Sequence, residues 1–165
     1  MRQYEVERKF LLRRLPRVEF DKIIMIKQHY LKNDLAVSDR VRMTEASVPN
    51  GTKYFRTTKY SEDGSLREEE SEITRGEYKK CTKESIGEII KYRHIKTDRL
   101  GNTWEIDEFH NISMVIAEIE LMADISTLSR VRSEVDRIEV PGFIQDELVM
   151  EVSNLKSFSN KSLAL

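Results

Sequence analysis

A single cysteine, Cys81, occurs in 165 residues, so no internal disulfide can form and nothing points to an oxidising compartment. Its expected place is that of a small buried hydrophobe. Only three prolines and six glycines interrupt the chain. With no Pro/Gly/Ser-rich linker to divide it, the stretch 1–165 reads as one domain, long enough to bury a sizeable core. No apolar run approaches the ~20 residues that span a bilayer, so no membrane partner is expected and a cytoplasmic location follows by default. An excess of one charge is also missing: 28 Lys+Arg stand against 29 Asp+Glu, a net charge of -1. A general nucleic-acid binder would show a strong basic surplus. The absence of any GxxxxGK[ST] run excludes a P-loop nucleotidase. His29, His94, His110 and Cys81 lack a zinc-ligand spacing such as HExxH.

What the chain does have is charge, at 35% of residues, and much of it recurs at a spacing of two. Side chains alternate faces along a strand, so Glu5, Glu7 and Lys9 project one way while Val6 and Phe10 project the other. The same alternation sets Arg40 and Arg42 against Val41 and Met43, and Lys91 and Arg93 against Ile90, Tyr92 and His94. It sets Glu105 and Asp107 against Trp104 and Ile106, and Glu118 and Glu120 against Ala117, Ile119 and Leu121. Thr57 shares a face with Lys59, leaving Arg56 as a surface charge, and Glu68, Glu70 and Glu72 project together. Carboxylates ~5 Å apart repel by about 3 kcal/mol at an effective dielectric of ~20, so something basic must face them.

Strands are therefore expected over residues 2–12, 39–44, 52–60, 66–74, 88–97, 103–109, 114–121 and 148–152, joined mostly by short turns. Those turns include Pro49-Asn50-Gly51, Glu62-Asp63-Gly64-Ser65 and Arg99-Leu100-Gly101-Asn102. Val18, Ile23, Ile26 and Tyr30 fall at helical spacings and predict a helix over 18–30 with His29 near its C-terminal end. Thr74 and Glu77 form a capping box for a second helix, with Tyr78 and Cys81 inward and Gly87 to close it. A third helix is expected over 126–135, Pro141-Gly142 ends the segment after it, and Ser159 caps a short helical tail.

About eight antiparallel strands can close into a barrel. With charged faces turned together and apolar faces turned to amphipathic helices, the expected fold is α+β: a closed eight-stranded antiparallel β-barrel, polar inside, with helices packed outside.

The sequence resembles the CYTH, or triphosphate tunnel metalloenzyme, superfamily. Glu5-Val6-Glu7-Arg8-Lys9-Phe10-Leu11 matches its ExExK signature. Arg40-Val41-Arg42, Thr57-Thr58-Lys59, Lys91-Tyr92-Arg93, Trp104-Glu105-Ile106-Asp107-Glu108-Phe109 and Ala117-Glu118-Ile119-Glu120-Leu121 follow in the family's order. The tail Phe158-Ser159-Asn160-Lys161-Ser162-Leu163-Ala164 resembles that of small bacterial tripolyphosphatases. The resemblance implies a tunnel that holds a triphosphate, with divalent cations bound by acidic residues and no nucleic acid as partner; a homodimer is compatible with it.

The residues suit that chemistry. Lys9, Arg40, Arg42, Lys59, Lys91 and Arg93 offer guanidinium forks and ammonium charges to phosphate oxygens. Glu5, Glu7, Glu68, Glu70, Glu105, Asp107, Glu118 and Glu120 would be poor company for an anion unless hard cations, Mg²⁺ or Mn²⁺, sit between. Glu5, Glu7 and Lys9 are the expected catalytic group. Inorganic tripolyphosphate is the expected substrate and hydrolysis the expected reaction. A class IV-type adenylyl cyclase is the alternative, and a non-catalytic polyphosphate-binding module a further one.

Overall fold

β1 (Tyr4–Leu12) shows why the strands form where they do: Tyr4, Phe10 and Leu12 are buried on one face, while Glu5, Glu7 and Lys9 alternate with them on the other. The computed structural model describes residues 4–46, 51–62 and 65–165. The next strands are β2 (Lys22–Leu31), β3 (Ser38–Ala46), β4 (Thr52–Glu62) and β5 (Ser65–Glu72). Helix α1 (Arg75–Thr82) precedes β6 (Ser85–Thr97), β7 (Thr103–Phe109) and β8 (Met114–Ala123). Helices α2 (Leu128–Asp136) and α3 (Gly142–Gln145), strand β9 (Leu148–Glu151), a 3-10 turn (Lys156–Phe158) and helix α4 (Asn160–Ala164) complete the chain.

Among the described residues the architecture is mixed α+β, an antiparallel sheet of nine strands in the order β5-β4-β3-β2-β6-β7-β8-β1-β9, with four helices. This corrects the expected eight strands. Among the described residues no ladder joins β5 to β9, so hydrogen bonds do not close the sheet into a barrel. The residues cluster into two compact units. The first holds the chain up to Ile23 with Tyr92–Leu155, and the second holds Ile24–Lys91 with Lys156–Leu165.

In the first unit the apolar faces of β1, β7 and β8 make the core. Phe10, Leu12, Trp104, Ile106, Val115, Ala117 and Ile119 pack with Ile144 of α3. Burying such side chains stabilises by roughly 1.5–3 kcal/mol each. Leu128, Val131 and Val135 form the helical stripe by which α2 covers Tyr4 and Ala123. Helices thus sit opposite the charged faces, as expected. Arg8 interrupts the apolar face of β1 and is satisfied there. Its guanidinium donates to the Val135 and Ile138 carbonyls at 3.3 and 2.9 Å and to the Glu151 carboxylate at 2.9 and 3.1 Å.

In the second unit the Thr74–Glu77 capping box is present and α1 buries Tyr78, whose ring lies 5.0 Å from that of Tyr54 and 5.8 Å from that of His29. Cys81 is half-buried. Arg56 is exposed, as expected of a surface charge, and also grips the buried Asp39 side-on at 3.1 and 2.7 Å.

The helix expected over 18–30 is the main local error, because residues Lys22–Leu31 form a strand. Gln28, His29 and Tyr30 are all buried, so both faces of β2 are covered, and a strand buried on two faces loses its period-two signature. His29 is accordingly a strand residue. Gly87 does not close α1, which ends at Thr82 with Lys83 as its C-cap; it lies inside β6, where a Cβ would sit 2.5 Å from the Ala164 carbonyl oxygen. Pro141 precedes and caps α3. Pro49, Asn50, Asp63 and Gly64, expected in turns, lie outside the described residues; Gly51 and Gly101 adopt positive φ angles of 65° and 85°. Among the described residues no helix is long and apolar enough to cross a membrane.

Candidate functional site

Register places the charged residues of the first unit in levels across three strands. Glu5 lies opposite Met122, Glu7 opposite Glu120, Lys9 opposite Glu118 and Leu11 opposite Ile116. On the other side of β8, Glu105 lies opposite Glu118 and Asp107 opposite Ile116. Lys9, Glu118 and Glu105 therefore form one row, and Leu11, Ile116 and Asp107 form the next.

Like charges directly opposite one another destabilise a sheet, so the pairs Glu7/Glu120 and Glu105/Glu118 need cations. Lys9 Nζ bridges Glu7 at 3.0 Å and Glu118 at 2.9 Å. Burial opposes its charge, but Glu118 and Glu7 outweigh that and hold the ammonium well above the usual lysine range. Arg93 meets Asp107 through two parallel bonds of 2.8 Å, reaches Glu118 at 3.5 Å and pairs with Glu105. Its charge too is held above the ordinary value, against burial, by Asp107, Glu105 and Glu118. Six candidate acids (Glu5, Glu7, Glu105, Asp107, Glu118, Glu120) thus share one unit with two candidate bases.

The second unit has the reverse balance. Arg40 lies between Tyr30 and Thr57, Arg42 between Gln28 and Phe55, and Lys59 between Ser38 and Glu68. Arg42 donates to Glu70 at 3.0 Å and sits 5.4 Å over the Phe55 ring. Thr57 donates to the same Glu70 oxygen at 2.7 Å, and Lys59 pairs with Glu68 at 2.8 Å. Lys91, only 1% exposed, lies with its Nζ 3.5 Å from the Asn160 side-chain oxygen. Four bases here share a unit with Glu68 and Glu70.

No protein-family model and no curated protein matches the chain. Among solved structures, the inorganic triphosphatase NE1496 is similar over 98% of this chain and 94% of its own, at 25% identity and a TM-score of 0.64. A candidate adenylate cyclase from Vibrio parahaemolyticus matches 82% of this chain and 86% of its own, at 19% identity and a TM-score of 0.54. A candidate adenylyl cyclase from Hippeastrum, described as having a dominant triphosphatase activity, matches over 88% and 87%, at 14% identity and a TM-score of 0.50. These last two share the fold. The chain is thus similar in structure, over nearly its full length, to an inorganic triphosphatase of the CYTH, or triphosphate tunnel metalloenzyme, superfamily.

The donor set has the composition hard divalent cations require, all oxygen and in surplus over bases in the first unit. Among the described residues no three Asp, Glu, His or Cys side chains are gathered as metal ligands. Glu7, Glu105, Asp107 and Glu118 are drawn to Lys9 and Arg93. The residues fit a metal by chemistry and charge, and binding one requires these carboxylates to turn from the two bases.

Three residues beside the candidates escaped the sequence reading. Gln28 donates to the Tyr30 hydroxyl at 2.7 Å on the face of Arg40 and Arg42, and the helical reading of β2 hid both. Asn160 beside Lys91 is distant in sequence and had no local signal. Two clefts, of about 570 and 290 Å³, contain none of the candidate residues.

Proposed function

We propose that this protein is a divalent-metal-dependent triphosphatase acting on inorganic tripolyphosphate. One observation carries the reading: the candidate charges are unbalanced in opposite senses in the two units. Ion pairs that merely filled an interior would balance locally. An acid-rich set in one unit and a base-rich set in the other instead suit a substrate that is itself a polyanion accompanied by cations. The triphosphatase likeness supports the same reaction. The whole chain acts as one CYTH domain, with the charged faces as the lining of the tunnel that the superfamily implies.

The residues divide the work. Arg40 and Arg42 offer paired donors to phosphate oxygens, and Lys59 and Lys91 add point charges. An incoming phosphate competes with Glu70 for Arg42 and with Glu68 for Lys59, so the bases arrive pre-positioned by partners they can exchange. Glu5, Glu7, Glu118 and Glu120, with Glu105 and Asp107, would hold Mg²⁺ or Mn²⁺ in the first unit, and Glu68 and Glu70 are the candidate metal-holding acids of the second. A bound ion there supplies Lewis acidity and a water of lowered pKa. Lys9 and Arg93 stay charged and offset the charge that builds on the leaving group. In the balanced reaction, water oxygen bonds to the terminal phosphorus and the bridging oxygen departs on pyrophosphate. Phosphate is the other product, and the water's protons pass to solvent or product.

The test offers tripolyphosphate and ATP separately, with Mg²⁺ or Mn²⁺, and assays phosphate, pyrophosphate and cyclic AMP. Equal phosphate and pyrophosphate from tripolyphosphate are expected. Cyclic AMP with pyrophosphate from ATP, and little product from tripolyphosphate, would replace the triphosphatase with a cyclase; binding of tripolyphosphate without products would leave a polyphosphate-binding module.

A further inference from the structure

The C-terminal residues belong to the second unit and are pinned there at two points. Lys161 Nζ donates to the Val37 carbonyl at 2.7 Å, and Val37 is itself bonded to the Lys59 carbonyl at 2.8 Å. The last turn of α4 lies so close to β6 that a Cβ on Gly87 would come 2.5 Å from the Ala164 carbonyl oxygen. Ser159 starts the helix by accepting from the Ser162 amide at 3.1 Å. Next to Lys161, Asn160 holds its amide oxygen 3.5 Å from Lys91 Nζ, at the outer edge of hydrogen-bond reach.

Lys91 is the most buried of the four bases in this unit, and a lysine ammonium on four rotatable carbons has no preferred direction of its own. We infer that Asn160 is a positioning residue for triphosphate binding: docked by α4, its amide oxygen aims the Lys91 ammonium at the phosphate chain. A neutral acceptor suits the task. It orients the ammonium without cancelling the charge that the phosphate needs, as a carboxylate in the same place would. The inference rests on the proposed triphosphatase reading and names a residue outside the charged strand faces.

Asn160→Ala and Asn160→Asp separate this role from a merely structural one. Aspartate keeps the side-chain oxygen and is well tolerated at a helix start, so a structural role ranks Asp as the milder change. Positioning of a charge ranks it as the harsher one. With tripolyphosphate and Mg²⁺, Asn160→Ala is expected to raise KM about five- to tenfold, the loss of roughly one oriented charged contact, with kcat within about twofold. Asn160→Asp is expected to raise KM further, with Tm retained. Calorimetric titration of tripolyphosphate in excess EDTA should give the same order in Kd. Unchanged KM and Kd in both variants, or an Asp variant no worse than the Ala variant, overturns the inference. Wild-type protein that binds tripolyphosphate but does not hydrolyse it contradicts the proposed reaction alone, and the Kd order then decides the role of Asn160. Wild-type protein that does not bind it overturns both.

Discussion

Arg93 and Asp107 meet side-on, Nε to Oδ1 and Nη2 to Oδ2, both at 2.8 Å, with the carboxylate only 2% exposed. The same guanidinium also pairs with Glu105 and lies 3.5 Å from Glu118, so one cation holds carboxylates from both β7 and β8. Removing one member of a buried pair leaves an uncompensated charge, which costs about 3 to 5 kcal/mol. Arg93→Met is therefore expected to lower stability by that amount in urea unfolding, whereas Lys59→Met, which strands Glu68 at 20% exposure and not Asp107 at 2%, should cost less. Equal losses would mean that Arg93 is not the organising cation.

Arg40→Ala and Lys91→Ala are expected to weaken tripolyphosphate binding, each by about 1.5 to 3 kcal/mol, or roughly ten- to a hundredfold in Kd. Calorimetric titration of each variant checks this. Wild-type affinity in both would remove the second unit from substrate binding.

Glu5→Gln and Glu7→Gln should cut turnover strongly while leaving stability unchanged or raised. Glu7 faces Glu120 across the β1–β8 ladder, and neutralising one of two opposed acids relieves repulsion. Steady-state kinetics and thermal unfolding on the same preparations read the two effects. Full turnover in both variants contradicts a metal-holding role.

The alternation of Glu5, Glu7 and Lys9 with Tyr4, Phe10 and Leu12 was legible because each face of β1 meets one environment, charged on one side and apolar on the other. β7 and β8 were legible for the same reason, and so was the Thr74–Glu77 box, whose partners are three residues apart. β2 was not, since Gln28, His29 and Tyr30 are buried on both faces and Ile23, Ile26 and Tyr30 mimic a helical stripe. Gly87 misled in a similar way: its missing Cβ makes room for α4, a contact with a segment more than 70 residues away, and does not end α1. Among the candidate residues, position on a face was readable from local sequence. Partner choice, such as Lys9 with Glu118 or Lys91 with Asn160, depends on pairing between distant segments.

His29 gives a pH dependence of known sign. Burial pushes its imidazole below the usual 6.5, with Lys27 adding to the shift and Glu88, 3.3 Å from the ring, opposing it. Between the lowered folded value and 6.5 the unfolded chain binds more protons, so stability falls as pH drops through that window. His29→Gln removes the proton uptake. Urea midpoints at pH 7.5 and 5.5 should show a larger acid loss for wild type than for the variant; equal losses would assign the effect to other groups.

Metal dependence is the claim on which the triphosphatase account turns, and phosphate release from tripolyphosphate in the presence and absence of chelator tests it most directly. With Mg²⁺ or Mn²⁺ the account predicts phosphate and pyrophosphate in equal amounts, release that stops in excess EDTA, and recovery when the divalent ion is returned in excess. Release that continues unchanged in EDTA would contradict it.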